Sequence, residues 1–163
     1  MSDSAPTAFV PDGFVPPSPP RSPAFRLVPL GPEHNESDHA AWSSSIDHIR
    51  ATPGFERWTW PRPMSLEDNH RDLVRHAGDF AAGRGFTYTV LAPDDDTVIG
   101  CLYIYPSKDP AFDADVHSWV RAADAPLDRV LHDVVAGWLA REWPFSRVDY
   151  AARAPEGRWA ARS

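Results

Sequence analysis

Asp115 and His117 stand two residues apart in the run Asp113-Ala-Asp-Val-His-Ser-Trp-Val-Arg121. If that run is a strand, the pair shares one face, because alternate side chains of a strand point the same way. Histidine is the side chain whose ordinary pKa lies in the physiological range, and a carboxylate beside it can orient the ring. Such a pair can take a proton from a substrate. An aspartate and a histidine on the wet side of a strand also make an ordinary solvated surface, and both readings stand at this point. Other clusters carry less. His34, His39 and His48 are spaced by five and nine residues, which does not align them on one helix face, and no partner completes a metal set. Asp94, Asp95 and Asp96 form an acidic turn with no glutamate at calcium-loop spacing. No metal is expected. Cys101, the single cysteine, lies inside an apolar run and reads as a small core residue rather than a reactive thiol.

A second unusual stretch is Phe55-Glu-Arg-Trp-Thr-Trp-Pro-Arg-Pro-Met64, with Trp58, Trp60 and Arg62 among two prolines. A rigid aromatic loop of this kind either lids a cleft or caps the core.

The elements that must position these residues follow from periodicity. Thr97-Val-Ile-Gly-Cys-Leu-Tyr-Ile-Tyr105 has no charge and is rich in β-branched and aromatic residues, which predicts a central strand buried on both faces. In the run from Asp113 to Arg121, Asp113, Asp115, His117, Trp119 and Arg121 fall on one face and Ala114, Val116, Ser118 and Val120 on the other, one wet and one core. Leu127, Val130, Leu131, Val134, Val135, Trp138 and Leu139 recur at helical spacing up to Pro144. With the strand-like Arg147 to Arg153 they make a βαβ unit whose two strands should be parallel neighbours. Upstream, Phe25 to Leu30 reads as an edge strand confined by Pro29. Glu33 to Ala51 reads as a weakly periodic helix, and Ser65 opens a second helix, with Leu66, Leu73, Val74, Ala77 and Phe80 in its stripe, that ends at Gly83 and Gly85. Phe86 to Leu91 and Val98 to Tyr105 flank the acidic tip as a hairpin.

Composition sets the bounds. The chain has 163 residues, 42% hydrophobic and 24% charged, enough for one domain with a core. Its formal net charge is −7, and its 16 basic residues, all arginine but Lys108, form no run. Nucleic acid is therefore not expected as a partner. No run approaches the ~20 apolar residues of a membrane span, and no export signal is evident. With one cysteine the chain suits a reducing cytoplasm. Of 18 prolines, seven fall within residues 1 to 24, a segment that is either disordered or docked through Phe9, Val10, Phe14 and Val15.

The element order, together with Phe86-Thr-Tyr-Thr-Val-Leu91, Val98-Ile-Gly-Cys-Leu-Tyr-Ile-Tyr105 and Trp119-Val-Arg121 leading into a helix, resembles the GNAT superfamily of acetyl-CoA-dependent N-acetyltransferases over about residues 25 to 153. The resemblance implies a mixed α/β (α+β) fold, with a central sheet of about five strands and three helices, in a single domain over 25–163 behind the proline-rich segment 1–24. It implies an acyl-CoA-dependent acetyltransferase acting on a small amine; the alternative is a non-catalytic protein of the same fold that binds a ligand or partner. On it, Asp115 and His117 become candidates for the base that takes the amine proton. Trp58, Trp60 and Arg62 fall on the acceptor side of the cleft. Acetyl-CoA would lie between the strands at Trp119 and Val148, near Trp119, Val120, Arg121, Ala122 and Arg129. The family's phosphate loop, Arg/Gln-x-x-Gly-x-Gly/Ala, is here Arg121-Ala-Ala-Asp-Ala-Pro-Leu-Asp128. It lacks glycines, Pro126 has no N–H, and Asp124 and Asp128 bring negative charge. The same residues suit a helix start, with Asp124 as N-cap and Pro126 in the first turn. Arg121 and Arg129 would then either contact phosphate or pair with those aspartates. The resemblance also implies a tyrosine acid on a later helix, and no tyrosine follows Tyr150. An open edge on the last strand would be covered by Phe9, Val10, Phe14 and Val15.

Overall fold

The uncharged run in the sequence lies at the middle of the sheet. In a computed structural model, which describes residues 8–153, it forms β3 (Val98–Pro106). Residues 1–7 of the proline-rich segment and residues 154–163 at the end of the expected domain lie outside the described residues. On one side of β3 lie β2 (Phe86–Leu91) and then β1 (Arg26–Pro29); on the other lie β4 (Ala114–Val120) and then β5 (Val148–Tyr150). All neighbours are antiparallel except β4 and β5, which pair in parallel as the βαβ reading requires. The expected mixed five-strand sheet is the one observed. The acidic tip between β2 and β3 is neutralised in part from β1, where Arg26 pairs with Asp96 at 2.9 Å.

The helices divide between the two faces. α4 (Leu127–Glu142) buries Leu131, Val135, Trp138 and Leu139 with Tyr88, Leu102 and Val116 on one face, whereas Val130 of the same stripe is 43% exposed. On the other face Trp42 and Ile49 join Cys101, Tyr103 and Trp119 in a second core. The segment expected as one helix over Glu33 to Ala51 is divided into α1 (Asn35–Ser43) and α2 (Ile46–Arg50). Two serines explain the break. Ser44 Oγ turns back to donate to Ala41 O at 3.0 Å, and Ser45 Oγ accepts from the Ala122 amide at 2.9 Å, so both side chains satisfy groups other than a continuing helix. α3 (Leu66–Ala82) starts where Ser65 Oγ accepts from the Asp68 amide and stops at Gly83, whose φ of +72° needs no Cβ. Leu73 enters the second core and Phe80 packs against the first, but Leu66 and Val74 face solvent. Among the described residues no helix is long and apolar enough to cross a membrane.

The proline-rich segment docks, at a place other than the sheet edge. Phe9 stacks 5.0 Å from Phe145, and Phe14 lies 5.4 Å from Trp143, both beside Phe86 at the start of β2; Val15 is exposed. Trp143 and Phe145, just after α4, supply the rings that Phe9 and Phe14 pack against. Truncating both rings, Phe9→Ala with Phe14→Ala, should cost about 1 to 3 kcal/mol in a urea melt, as half-buried aromatics do. A double variant that unfolds with the wild type would show that the segment is undocked in solution.

Candidate functional site

β4 delivers Asp115, His117 and Trp119 to the face opposite α4, as alternation requires, but the three meet different surroundings. Trp119 is fully buried, its Nε1 donating to Tyr103 Oη at 3.1 Å and its rings 6.0 Å from Trp60. The face expected to be wet is therefore closed at Trp119 by the Phe55–Met64 loop. His117 keeps only 12% of its side chain exposed, its ring set between Trp58 at 4.6 Å and Phe55 at 5.4 Å. Gly54 makes the room: its φ is +101°, and a Cβ there would stand 3.0 Å from His117 Nδ1. Asp115 Oδ1 lies 3.0 Å from His117 Nε2, but the approach lacks hydrogen-bond alignment, so both ring nitrogens are left without a hydrogen-bond partner. A buried polar atom without a partner is costly unless something else uses it.

Asp115 and His117 open onto a cavity of about 640 Å³. Trp58, Trp60 and Arg62 also line it, so the loop and strand residues singled out in the sequence come together on one wall. The structure adds Tyr103 and Tyr105, which β3 places directly across from His117 and Asp115 in the strand register. Their i, i+2 spacing in a strand was the available signal; the register was not. Asp38 and His76 carried no signal at all. Asp38 is 4% exposed and accepts from Asn69 Nδ2 at 3.0 Å. His76 Nδ1 lies 2.8 Å from Tyr105 Oη, which in turn donates to Asp79 Oδ2 at 2.9 Å. Two arginines on the wall are paired, Arg71 with Asp68 and Arg75 with Asp72, while Arg62 is exposed. Among the described residues no group of three His, Cys, Asp or Glu side chains could hold a metal ion.

Burial shifts the two inner groups in opposite directions. Desolvation pushes Asp38 up to about 6, against the lowering hydrogen bond from Asn69. It pushes His76 down to about 4. Asp38 takes up a proton in the folded chain before the unfolded chain does, so its contribution to stability is lost as pH rises through about 6. His76 behaves oppositely: the unfolded chain protonates first, and stability is lost as pH falls from 6.5 toward about 4. The two trends offset each other in the wild type. Asp38→Asn leaves His76, with His48 also lowered by burial and acting in the same direction, so the variant's stability should climb with pH across this window by about 2 kcal/mol or more. Urea melts at the two ends of the window would show it, and an unchanged slope would refute the burial of Asp38.

The donor side implied by the resemblance is built otherwise. None of Trp119, Val120, Arg121, Ala122 and Arg129 is on the cavity wall. Trp119 and Val120 are core residues of opposite faces. Arg121 pairs with Asp124 at 2.7 Å, and Arg129 lies 3.6 Å from Asp133. Asp124 is thus an ion-pair partner within the 3-10 turn Ala122–Asp124, and α4 begins only after Pro126. This differs from the expected N-cap because the arginine outcompetes a backbone amide for the carboxylate. Four amides of the turn are engaged as well, Ala122 N with Ser45 Oγ, Asp124 N with Arg121 O, Ala125 N with Ala122 O and Asp128 N with Ala125 O, and Pro126 has no N–H to offer. A coenzyme pyrophosphate needs several free N–H groups at a helix start. The residues present do not fit one.

No protein-family model matches the sequence, and no curated protein matches it either. The fold does have solved relatives. The ribosomal-protein-S5-alanine acetyltransferase from Vibrio fischeri superposes with a TM-score of 0.64 at 12% identity, covering 86% of this chain and 77% of that one. RimL, a ribosomal L7/L12 alpha-N-protein acetyltransferase, gives 0.62 at 14%, covering 91% and 82%. The microcin C7 self-immunity acetyltransferase MccE, in complex with acetyl-CoA and AMP, gives 0.54 at 10%, covering 73% and 62%. At these identities the likeness is one of fold, and the chain has the GNAT fold.

Proposed function

We propose that this protein binds a small amine in the cavity beneath the Phe55–Met64 loop, as the acceptor side of an N-acetyl-transfer site. The observation that carries this reading is that Asp115 and His117 together line an aromatic cavity, with both imidazole nitrogens buried and lacking hydrogen-bond partners. An amine reaches such a site as an ammonium ion. The faces of Trp58 and Trp60 attract the cation, and the carboxylate of Asp115 compensates its charge. His117 Nε2 then accepts one ammonium proton, which leaves a neutral amine with a free electron pair and an imidazolium beside Asp115. Arg62 offers a contact for an anionic group elsewhere on the same molecule.

A second reading, binding without transfer, is favoured by the turn at Arg121 to Asp128, four of whose amides and whose arginine are engaged within the protein. Thermal melting with a series of primary amines, from ethanolamine to tyramine and short peptides with free N-termini, separates the two. At least one amine should raise the Tm of the wild type and fail to do so in Asp115→Asn or Trp58→Ala. Release of free thiol from acetyl-CoA with that amine supports transfer; binding without thiol release supports the second reading. A series in which no amine shifts the wild type overturns both.

A further inference from the structure

α3 supplies a second wall of the cavity, and His76 is the residue on that wall that meets the strand tyrosines. Its ring lies 5.7 Å from that of Tyr103 and 5.9 Å from that of Tyr105. Those are the residues that β3 sets across from His117 and Asp115, so the helix residue and the strand pair share one stretch of the sheet.

A chain of hydrogen bonds behind the ring fixes which of its nitrogens carries the proton. Near the end of α3, Asp79 accepts from Arg84 Nε at 3.1 Å and from Tyr105 Oη at 2.9 Å. A carboxylate paired with an arginine only accepts, so the single hydroxyl proton of Tyr105 is committed to it. Tyr105 Oη can then meet His76 Nδ1, 2.8 Å away, only as an acceptor, which puts the imidazole proton on Nδ1. Thr87 Oγ1, 3.2 Å from the same nitrogen, is a second acceptor for it. The tyrosine ring is seated by Gly85, where a Cβ would run into it. Burial pushes His76 down to about 4, so near neutral pH the ring holds that one proton and Nε2 is bare. Nε2 has no hydrogen-bond partner among the described residues and is not one of the buried unpaired atoms, so its lone pair reaches the cavity that His76 lines.

We propose that His76 Nε2 is a specificity contact, accepting a hydrogen bond from a neutral donor, a hydroxyl or an amide N–H, on the molecule whose amine meets Asp115 and His117. Tyr105 and Asp79 are positioning residues that fix the tautomer. The inference rests on the amine reading and narrows its ligand to amino alcohols and amino amides. A plain alkylamine displaces water from Nε2 without replacing its hydrogen bond, and a carboxylate or an ether at that place has no proton to give.

Dissociation constants taken from melting temperature against ligand concentration, on the full-length chain, test this. Amino alcohols from ethanolamine to aminopentanol are compared with their methyl ethers, which keep the oxygen and lose only the proton. Glycine N-methylamide is compared in the same way with glycine N,N-dimethylamide. The donor should bind about five- to ten-fold more tightly than its partner in at least one pair, the worth of one net hydrogen bond. Which pair shows it tells a hydroxyl from an amide. The preference should vanish in His76→Leu. It should shrink in Tyr105→Phe, where the Thr87 hydroxyl is free to donate to Nδ1 and drive the ring proton to Nε2. Long-range proton–nitrogen NMR correlation of the wild-type His76 ring should place the proton on Nδ1, a readout that needs neither ligand nor variant. A proton on Nε2 would overturn the proposal, and so would a preference that survives in His76→Leu. If circular dichroism shows His76→Leu unfolded, Tyr105→Phe, which loses only a hydroxyl, carries the comparison, and an undiminished preference there has the same meaning. Equal binding within every pair overturns the His76 contact and leaves the amine reading standing, whereas a wild type shifted by no amine overturns both.

Discussion

Trp138→Ala is expected to lower the unfolding free energy by about 3 to 5 kcal/mol, the range for deleting a fully buried large aromatic. Trp138 has no exposed surface and stands edge-on to Tyr88 at 5.5 Å and to Trp143 at 5.3 Å, where α4 meets the sheet. Its Nε1 has no hydrogen-bond partner, so truncation breaks no hydrogen bond and the whole cost is cavity and lost dispersion. That detail makes a companion test. Trp138→Phe removes an unpaired donor along with part of the volume, and should recover most of the loss. The urea midpoint reads both. An unchanged midpoint in Trp138→Ala would remove α4 from the sheet.

Arg153→Ala should cost a similar amount, about 3 to 5 kcal/mol, for a different reason. The substitution leaves the Asp128 carboxylate, 13% exposed, without its ionic partner, and leaves Ser118 O and Pro53 O without a donor. Breaking one side of a buried pair is worse than removing both, because the remaining charge keeps its desolvation cost. The double variant with Asp128→Asn should therefore be more stable than Arg153→Ala alone, a coupling that a double-mutant cycle isolates. If Arg153→Ala unfolds with the wild type, the guanidinium is in water rather than between β4 and β5.

Parts of this protein were legible before any coordinate. The charge-free run from Val98 to Tyr105 could only be a strand covered on both faces, since each of its side chains is apolar or aromatic and solvent would be costly on either side. The stripe through Leu131, Val135, Trp138 and Leu139 specified a helix on one face of a sheet, and the strand that follows had to return parallel because a crossover helix separates the two. Ser65 announced the start of α3 through its hydroxyl. Asp115 and His117 were placed on a common face by a period of two, and the cavity meets them there. All of these are local or nearest-neighbour properties, written in the spacing of side chains along a single element.

What the tertiary structure decided is of another kind. Trp119 shares a strand face with Asp115 and His117, yet it has no exposed surface while they line the cavity, because Trp60 from a distant loop covers one end of that face. Asp38 and His76 reach the cavity from two helices whose mutual packing no periodicity encodes. The sequence offered Arg121 and Arg129 as partners for Asp124 and Asp128; the fold gave Asp124 to Arg121, turned Arg129 toward Asp133, and brought Arg153 from 25 positions away to Asp128. Charge pairing depends on distance in space, and at the ranges involved any of several arginines satisfies a carboxylate equally well in the unfolded chain. Hydrophobic spacing determines which face of an element is inside. Which arginine fills a gap between two strands is settled only when both strands, the helix between them and the loop at Pro53 have all taken their places.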